Sequence, residues 1–379
     1  METYFTRLLE KPLIARITER RKIVVLYGAR QTGKTWLSKK VINKTGWRWL
    51  ELNGDDPEDQ DLLIRPSMIR LAELTAGYDA VFLDEAQRMP EIKIMVKRLY
   101  DSNTDRPILI TGSSSTGIGE SIGEPLTGRT RTYTLYPISV GEYALSEGQL
   151  SAERHLETLL ILGGYPELFR IENRLEKINQ LKELTASYLY KDILELSNVK
   201  YRRKIRDLLR HLAYQVGNEV SYSELATNLG LSTDTVISYI DLLEKGFVVF
   251  RLGPWSRNLR KEITKKQKVY FFDNGIRNAL INDFKHLEFR NDQGALWENF
   301  LISERIKRNA YKNSHVESWF WRLQTGAEID YLEHADELIS AFEFKWGTKR
   351  IKAPKSFSEA YPAHEFTTVT KDNWFDFVC

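Results

Sequence analysis

Residues 22–35 read "KIVVLYGARQTGKT", and this stretch decides the fold of the first third of the chain. An apolar run from Ile23 to Tyr27 breaks at Gly28, and helical character begins at Lys34, so strand, loop and helix follow one another directly. Inside it, Gly28-x4-Gly33-Lys34-Thr35 satisfies the pattern of a phosphate-binding loop, in which glycines let backbone N–H groups turn inward around phosphate oxygens. The spacing assigns Gly28, Ala29, Arg30, Gln31, Thr32, Gly33, Lys34, Thr35 and Trp36 to the nucleotide. Lys34 is placed for the β- and γ-phosphates and the Thr35 hydroxyl for Mg²⁺, while the helix N-terminus adds its positive end. The bland alternative is a glycine turn without a ligand, which leaves the strand before it and the helix after it unexplained.

A nucleotide hydrolase needs a second apolar strand that ends in acids, and "DAVFLDEAQ" (79–87) supplies it. Asp84 is the expected metal-side carboxylate, and Glu85 the base that polarises the attacking water. A third apolar strand, "RPILITGSSS" (106–115), ends in small hydroxyl residues; Ser113 or Ser114 is the candidate for sensing the γ-phosphate. Just beyond, Arg129 and Arg131 are candidates for an arginine supplied in trans to a neighbouring subunit's nucleotide, with a solvated surface arginine as the alternative for each.

The five segments "LYGARQTGKT", "FLDEAQ", "ILITGSSS", "LTGRTRTYTLYPIS" and "GGYPE" occur in this order, and together they resemble a prokaryotic AAA-type P-loop ATPase family. Members of that family typically join the ATPase to a C-terminal nuclease-like domain. The resemblance implies an α/β fold with four parts. These are an AAA-type P-loop ATPase domain over 1–145, a helical lid over 146–205, a winged helix-turn-helix over 206–285 and an α/β restriction-endonuclease-like PD-(D/E)XK domain over 286–379.

Bulk properties agree with several folded cores. The chain has 379 residues, 42% hydrophobic and 28% charged, without low-complexity tracts. No window approaches eighteen consecutive apolar residues, so no membrane partner is expected. The single cysteine, Cys379, allows neither a disulfide nor a cysteine metal site within one chain, and the reducing cytoplasm is the expected compartment. A net charge of +3 makes any nucleic-acid affinity a matter of local patches.

Two such patches flank a helix-turn-helix pattern. "SYSELATNLGLSTDTVISYIDLLEKGFVVFRL" (221–252) reads as two helices around Gly230 and then a β-rich wing. Ser232 is the expected N-cap of the second helix, with Val236, Ile240 and Leu243 inward and Thr233, Asp234, Thr235 and Ser238 outward. That helix offers no arginine to a base edge, which argues against reading a specific sequence. "SRNLRKEITKKQK" (256–268) carries Arg257, Arg260, Lys261, Lys265, Lys266 and Lys268 against Glu262 alone, and "KYRRKIR" (200–206) precedes the motif. Both suit backbone contacts to duplex DNA, or are solvated loops.

In the last third, "GALWENFLISERIKR" (294–308) suits an amphipathic helix; "SWFWRLQTGAEIDYLE" and "ELISAFEFKW" read as two strands joined by a turn around Asp336. Glu298 on the helix, Asp330 in the first strand, and Glu343 and Lys345 in the second then form a set. Asp330 and Glu343 are candidate Mg²⁺ ligands and Lys345 a group to position the attacking water, the logic of PD-(D/E)XK nucleases, which this stretch resembles. The combined expectation is an ATP- and Mg²⁺-dependent homo-oligomer acting on DNA, with cleavage as an added activity. The rival is an ATPase switch whose winged helix and inert nuclease-like module bind protein partners.

Overall fold

The structure is a computed structural model that describes residues 5–19, 23–64, 67–89, 91–102, 105–114, 129–195, 202–255, 267–335 and 338–379, with side chains of 188–195 and 202 left aside. The first part is a five-stranded sheet, all parallel, of β1 (Ile23–Tyr27), β2 (Trp49–Asn53), β3 (Ala80–Asp84), β4 (Ile108–Gly112) and β5 (Thr130–Thr134), in the order β2-β3-β4-β1-β5. β1, β3 and β4 are buried along their whole length, as parallel strands covered on both faces must be. Their side chains alternate between two cores. Ile23, Val25, Val81, Leu83 and Ile110 pack with Met95, Val96 and Leu99 of helix Ile92–Ser102, while Val24, Leu26, Phe82 and Leu109 pack with Leu13, Leu37 and Val41 from the other side.

Helices Val140–Glu147, Gln149–Arg154, Leu156–Leu162 and Arg174–Glu195 follow. Then come helix Arg202–Tyr214 and the pair Tyr222–Leu229 and Thr233–Lys245. Gly230 ends the first of that pair in the left-handed region (φ 60°), and the Ser232 hydroxyl accepts from Thr235 N at the start of the second. Val236, Ile240 and Leu243 are buried, and Thr233, Asp234 and Ser238 are exposed.

β6 (Glu219–Val220), β7 (Val249–Pro254) and β8 (Gln267–Phe271) form an antiparallel group, but it is not closed on itself. β7 pairs in parallel with β9 (Glu317–Arg322), and β10 (Glu328–Ala335), β11 (Leu338–Phe344) and β12 (His364–Val369) complete a seven-stranded sheet in the order β12-β11-β10-β9-β7-β8-β6. The stretch expected as one strand, 318–333, is two, β9 and β10, because Gly326 adopts φ 92° and turns the chain back. The expected turn around Asp336 lies outside the described residues. Helix Gln293–Tyr311 packs against this sheet, and a single apolar core runs from Tyr136 and Ile138 through Leu212, Ile240 and Tyr270 to Phe377.

Candidate functional site

The loop after β1 is shaped by backbone that only glycine tolerates. Gly28 has φ 153°, and a Cβ there would lie 2.1 Å from the Leu135 carbonyl oxygen, while Gly33 has φ 95° at the start of helix Lys34–Thr45. Lys34 is 4% exposed, and its Nζ donates to the carbonyls of Gly28 (3.0 Å) and Ala29 (3.1 Å), 3.8 Å from Glu85 Oε1. Thr35 Oγ1 donates to Asp84 Oδ2 at 2.9 Å, so a hydroxyl from the first turn of the helix and a carboxylate from the end of β3 are brought together. Both suit Mg²⁺, whose oxygen-only preference matches this donor pair.

Glu85 takes a left-handed conformation (φ 46°) that redirects the chain at the end of β3. Gln87 Nε2 donates to Glu85 Oε2 at 2.6 Å and to Ser113 Oγ at 3.0 Å, which ties the expected base to one of the two expected sensors. Ser114 is equally buried, with an Oγ that has no hydrogen-bond partner among the described residues. Thr111, on β4 two residues before Ser113, is the group the sequence reading overlooked. Its hydroxyl donates to Asp84 Oδ1 and accepts from Glu85 N at 3.0 Å, fixing both acids from the intervening strand.

Arg131 sits on β5 at the edge of the sheet, and Arg129 immediately precedes that strand. Arg129 pairs with Asp101 at 3.0 Å and lies over the Tyr100 ring, and Arg131 donates to Asn313 Oδ1 at 2.9 Å. Residues 115–128 lie outside the described residues.

Behind the loop stands Arg7, which no local motif marks. It is 3% exposed, and donates from Nη1 to Thr32 O (2.6 Å), from Nη2 to Tyr136 O (2.6 Å) and from Nε to Glu142 Oε1 (2.9 Å). Burial works against its charge, but the facing Glu142 carboxylate outweighs that and raises its pKa. Tyr311, from the distant helix Gln293–Tyr311, closes the group by accepting from Tyr136 N at 3.1 Å. A cavity of about 340 Å³ opens beside Gly33, walled by Phe5, Trp36, Ile138, Pro166 and Arg170.

The second expected set also assembles. Glu298 Oε1 accepts from Tyr270 OH (2.6 Å) and Lys268 Nζ (3.2 Å), Asp330 Oδ2 accepts from Phe344 N (2.8 Å), and Glu343 Oε1 accepts from Lys345 Nζ (2.8 Å). Burial, and then the charge of Glu298, push Asp330 up to about 7; burial and Asp330 raise Glu343. Lys268 is where the sequence reading needs correcting. It was counted in a basic surface patch, yet its side chain is 4% exposed and turned into this cluster. Lys268 and Tyr270 are two apart on β8, so they share a face. The rest of that patch, Arg257, Arg260, Lys261, Lys265 and Lys266 with Glu262, lies outside the described residues, as does Lys200. Among the described residues no group of three or more His, Cys, Asp or Glu side chains is arranged to hold a metal. Lys268 and Lys345 stand against two of the cluster's carboxylates, so a divalent cation there would compete with an ammonium.

Comparison with known proteins bears on the first site. Residues 20–144 match the AAA domain family. This segment is an AAA-type P-loop ATPase domain. Beyond the AAA domain, residues 153–287 match the domain of unknown function DUF8612 and residues 293–377 the domain of unknown function DUF4143. Among curated relatives, an uncharacterised protein of Mycobacterium tuberculosis is 29% identical over 349 residues, 90% of this chain and 73% of that one. Another, from Methanocaldococcus jannaschii, is 25% identical over 362 residues, 89% of this chain and 78% of that one. Solved structures similar to the chain include AMPPCP-bound DnaA from Aquifex aeolicus, at 19% identity and a TM-score of 0.30, covering 62% of this chain and 86% of that one. A signal-transduction ATPase with numerous domains from Pyrococcus horikoshii matches at 12% identity and a TM-score of 0.33, covering 83% of this chain and 48% of that one. No helix among the described residues is long and apolar enough to cross a membrane.

Proposed function

We propose that the protein is a Mg²⁺-dependent ATPase whose nucleotide-bound state acts on a DNA-contacting C-terminal half. The observation that carries the proposal is the convergence of Lys34, Thr35, Asp84 and Glu85 beyond the C-terminal ends of the parallel strands β1 and β3, with β4 between them. Lys34 exchanges the Gly28 and Ala29 carbonyls for β- and γ-phosphate oxygens, and the loop N–H groups cradle the remaining charge. Thr35 and Asp84 hold Mg²⁺, which, when bound, neutralises charge on the phosphate oxygens. Glu85, held by Gln87, takes the proton of the attacking water, and Ser113 or Ser114 reads the γ-phosphate. The base of the nucleotide lies in the 340 Å³ cavity against Phe5 and Trp36.

Residues 221–271 serve as a winged helix in this reading. The exposed arginines Arg203, Arg206 and Arg210, three and four apart on helix Arg202–Tyr214, supply duplex backbone contacts beside it. The α/β module after residue 286, with Glu298, Asp330, Glu343 and Lys345 together, is nuclease-like. A second reading, an ATPase switch with an inert module that binds protein, is favoured by the two lysines that already neutralise those carboxylates.

The test is nucleotide binding and turnover. Lys34→Ala is expected to lose binding, and Glu85→Gln to bind ATP with turnover at least about a hundred-fold slower. Normal hydrolysis by Glu85→Gln would remove Glu85 as the base. Salt-sensitive DNA binding, and Mg²⁺-dependent plasmid cleavage lost in Lys345→Ala, separate the first reading from the second.

A further inference from the structure

The carboxylate cluster already contains a cation. Lys268 Nζ lies 3.2 Å from Glu298 Oε1, 5.3 Å from the Phe320 ring centroid, and has a side-chain exposure of 4%. Its backbone is held on both sides, paired with Glu219 on β6 and Leu252 on β7, so the ammonium is delivered by the middle strand of a three-stranded group and not by a loose arm. Tyr270, on the same face of β8, donates to the same Glu298 oxygen at 2.6 Å. Gly217 closes the other side, since a Cβ there would lie 3.3 Å from Glu298 Oε2.

The remaining carboxylates are also engaged on one oxygen each, Asp330 by Phe344 N and Glu343 by Lys345. Glu343 Oε2, by contrast, is buried without a hydrogen-bond partner among the described residues, in a residue that is 7% exposed. A buried, unpartnered carboxylate oxygen beside two further acids is a place for a cation. The strand β8 puts its ammonium on the neighbouring acid instead.

We propose that the Lys268 ammonium is the resident counter-ion of the Glu298–Asp330–Glu343 cluster and that, while β8 holds it there, the cluster excludes divalent cations. The cluster is thereby closed from the helix-turn-helix side of the sheet, by a residue outside the helix and strands that supply its acids. An ammonium and a divalent cation repel at contact range, and only one of them can take Glu298 Oε1. This rests on the cluster's geometry alone, so it stands or falls separately from ATP hydrolysis, and Mg²⁺-dependent cleavage at the cluster would require Lys268 to leave Glu298 first.

The experiment is calorimetric titration of the full-length protein with Mn²⁺, repeated on Lys268→Met, Lys268→Gln and Lys268→Arg. Each is accompanied by a thermal melt in EDTA and in Mn²⁺, so that folding is read alongside binding. Any site at the ATPase loop is removed from the comparison by making every protein in a Thr35→Ala, Asp84→Asn background. The expected result is little binding by the parent and by Lys268→Arg, and binding at least about ten-fold tighter by Lys268→Met or Lys268→Gln, with Mn²⁺ raising the melting temperature of those variants only. Adding Glu343→Gln to the Lys268→Met protein should abolish the gain. Equal Mn²⁺ affinity in parent and Lys268→Met would overturn the proposal. So would a folded Lys268→Met or Lys268→Gln that binds no Mn²⁺, which would make the Lys268–Glu298 pair a structural tie and nothing more.

Discussion

Replacing Arg7 by alanine removes three charge-assisted hydrogen bonds of 2.6–2.9 Å, made by a side chain with 3% exposure. The Glu142 carboxylate, with 0% exposure, keeps the amides of Leu8 and Ser139 but loses the facing guanidinium, and the carbonyls of Thr32 and Tyr136 lose a donor. Breaking a buried ion pair from one side costs about 3–5 kcal/mol. For a cooperative unit of this size each kilocalorie lowers the melting temperature by about 2–4 °C, so the ATPase part of Arg7→Ala should melt about 10 °C lower. Arg7→Lys retains the charge without the fork and should fall between the two. Tyr311→Phe, which leaves Tyr136 N without its 3.1 Å acceptor, should cost about 1–2 kcal/mol. Because Arg7 holds the Thr32 carbonyl inside the phosphate loop, Arg7→Ala should also weaken binding of a fluorescent ATP analogue, by about ten-fold if re-ordering the loop takes about 1.4 kcal/mol. Calorimetric scans of the nucleotide-free protein and an analogue titration check both. Arg7→Ala melting within 2 °C of wild type, with unchanged analogue affinity, would refute the reasoning.

Further outcomes follow from other parts of the molecule. Gly28→Ala places a Cβ 2.1 Å from a backbone oxygen that cannot swing away, so it should destabilise the ATPase part by about 2 kcal/mol or more and abolish ATP-analogue binding, as read in the same two assays. At Asp292 burial opposes the charge, but hydrogen bonds from Arg290 and the charge of Arg277 win and bring its pKa to about 2, below its ordinary 3.8. A depressed carboxylate contributes stability that is present above pH 4 and is lost as pH falls through 2. Asp292→Asn should therefore cost about 1–2 kcal/mol near neutrality, after discounting for its partial exposure, and flatten the acid limb of a urea-denaturation series between pH 4 and 2. If Arg129 or Arg131 completes a neighbour's site, specific ATPase activity should rise with protein concentration and Arg129→Ala or Arg131→Ala should remove that dependence; constant activity on dilution would exclude a role in trans.

The parts legible in the sequence are those whose cause is local. Gly28 and Gly33 are required by the backbone of the loop they belong to, and β1, β3 and β4 announce themselves as continuous apolar runs because parallel strands are buried on both faces. Ser232 caps its helix through a bond to Thr235, three residues on. Arg7 could not be read this way, since its partners Thr32, Tyr136 and Glu142 are set by tertiary packing and each is also an ordinary residue in its own segment. Lys268 was misread for the complementary reason. It ends a run of lysines and arginines, and composition cannot tell a strand position facing inward from a loop position facing water. The alternation Lys268, Val269, Tyr270, Phe271 carried a signal, because a lysine and a tyrosine sharing one face of a strand buried along 268–271 need a partner such as Glu298.

Helix Gln293–Tyr311 shows what a reading by segments loses. Its apolar positions Leu296, Phe300 and Leu301 fit an amphipathic helix, but Asn299, Ser303, Glu304, Lys307 and Asn309 are buried as well. A helix buried on its polar side must satisfy those groups with the chain around it. Asn299 accepts from Phe271 N at 2.7 Å, Glu304 accepts from Val140 N at 2.7 Å and from Lys307 Nζ at 2.6 Å, and Tyr311 accepts from Tyr136 N at 3.1 Å. Glu298 and Tyr311 are thus joined by about 20 Å of unbroken helix, one end in the carboxylate cluster and the other behind the phosphate loop. One α-helix, held at both ends and along its middle, therefore bridges the group around Arg7 and the carboxylate that Lys268 meets. The polar residues that make it so are the ones a hydrophobic period ignores.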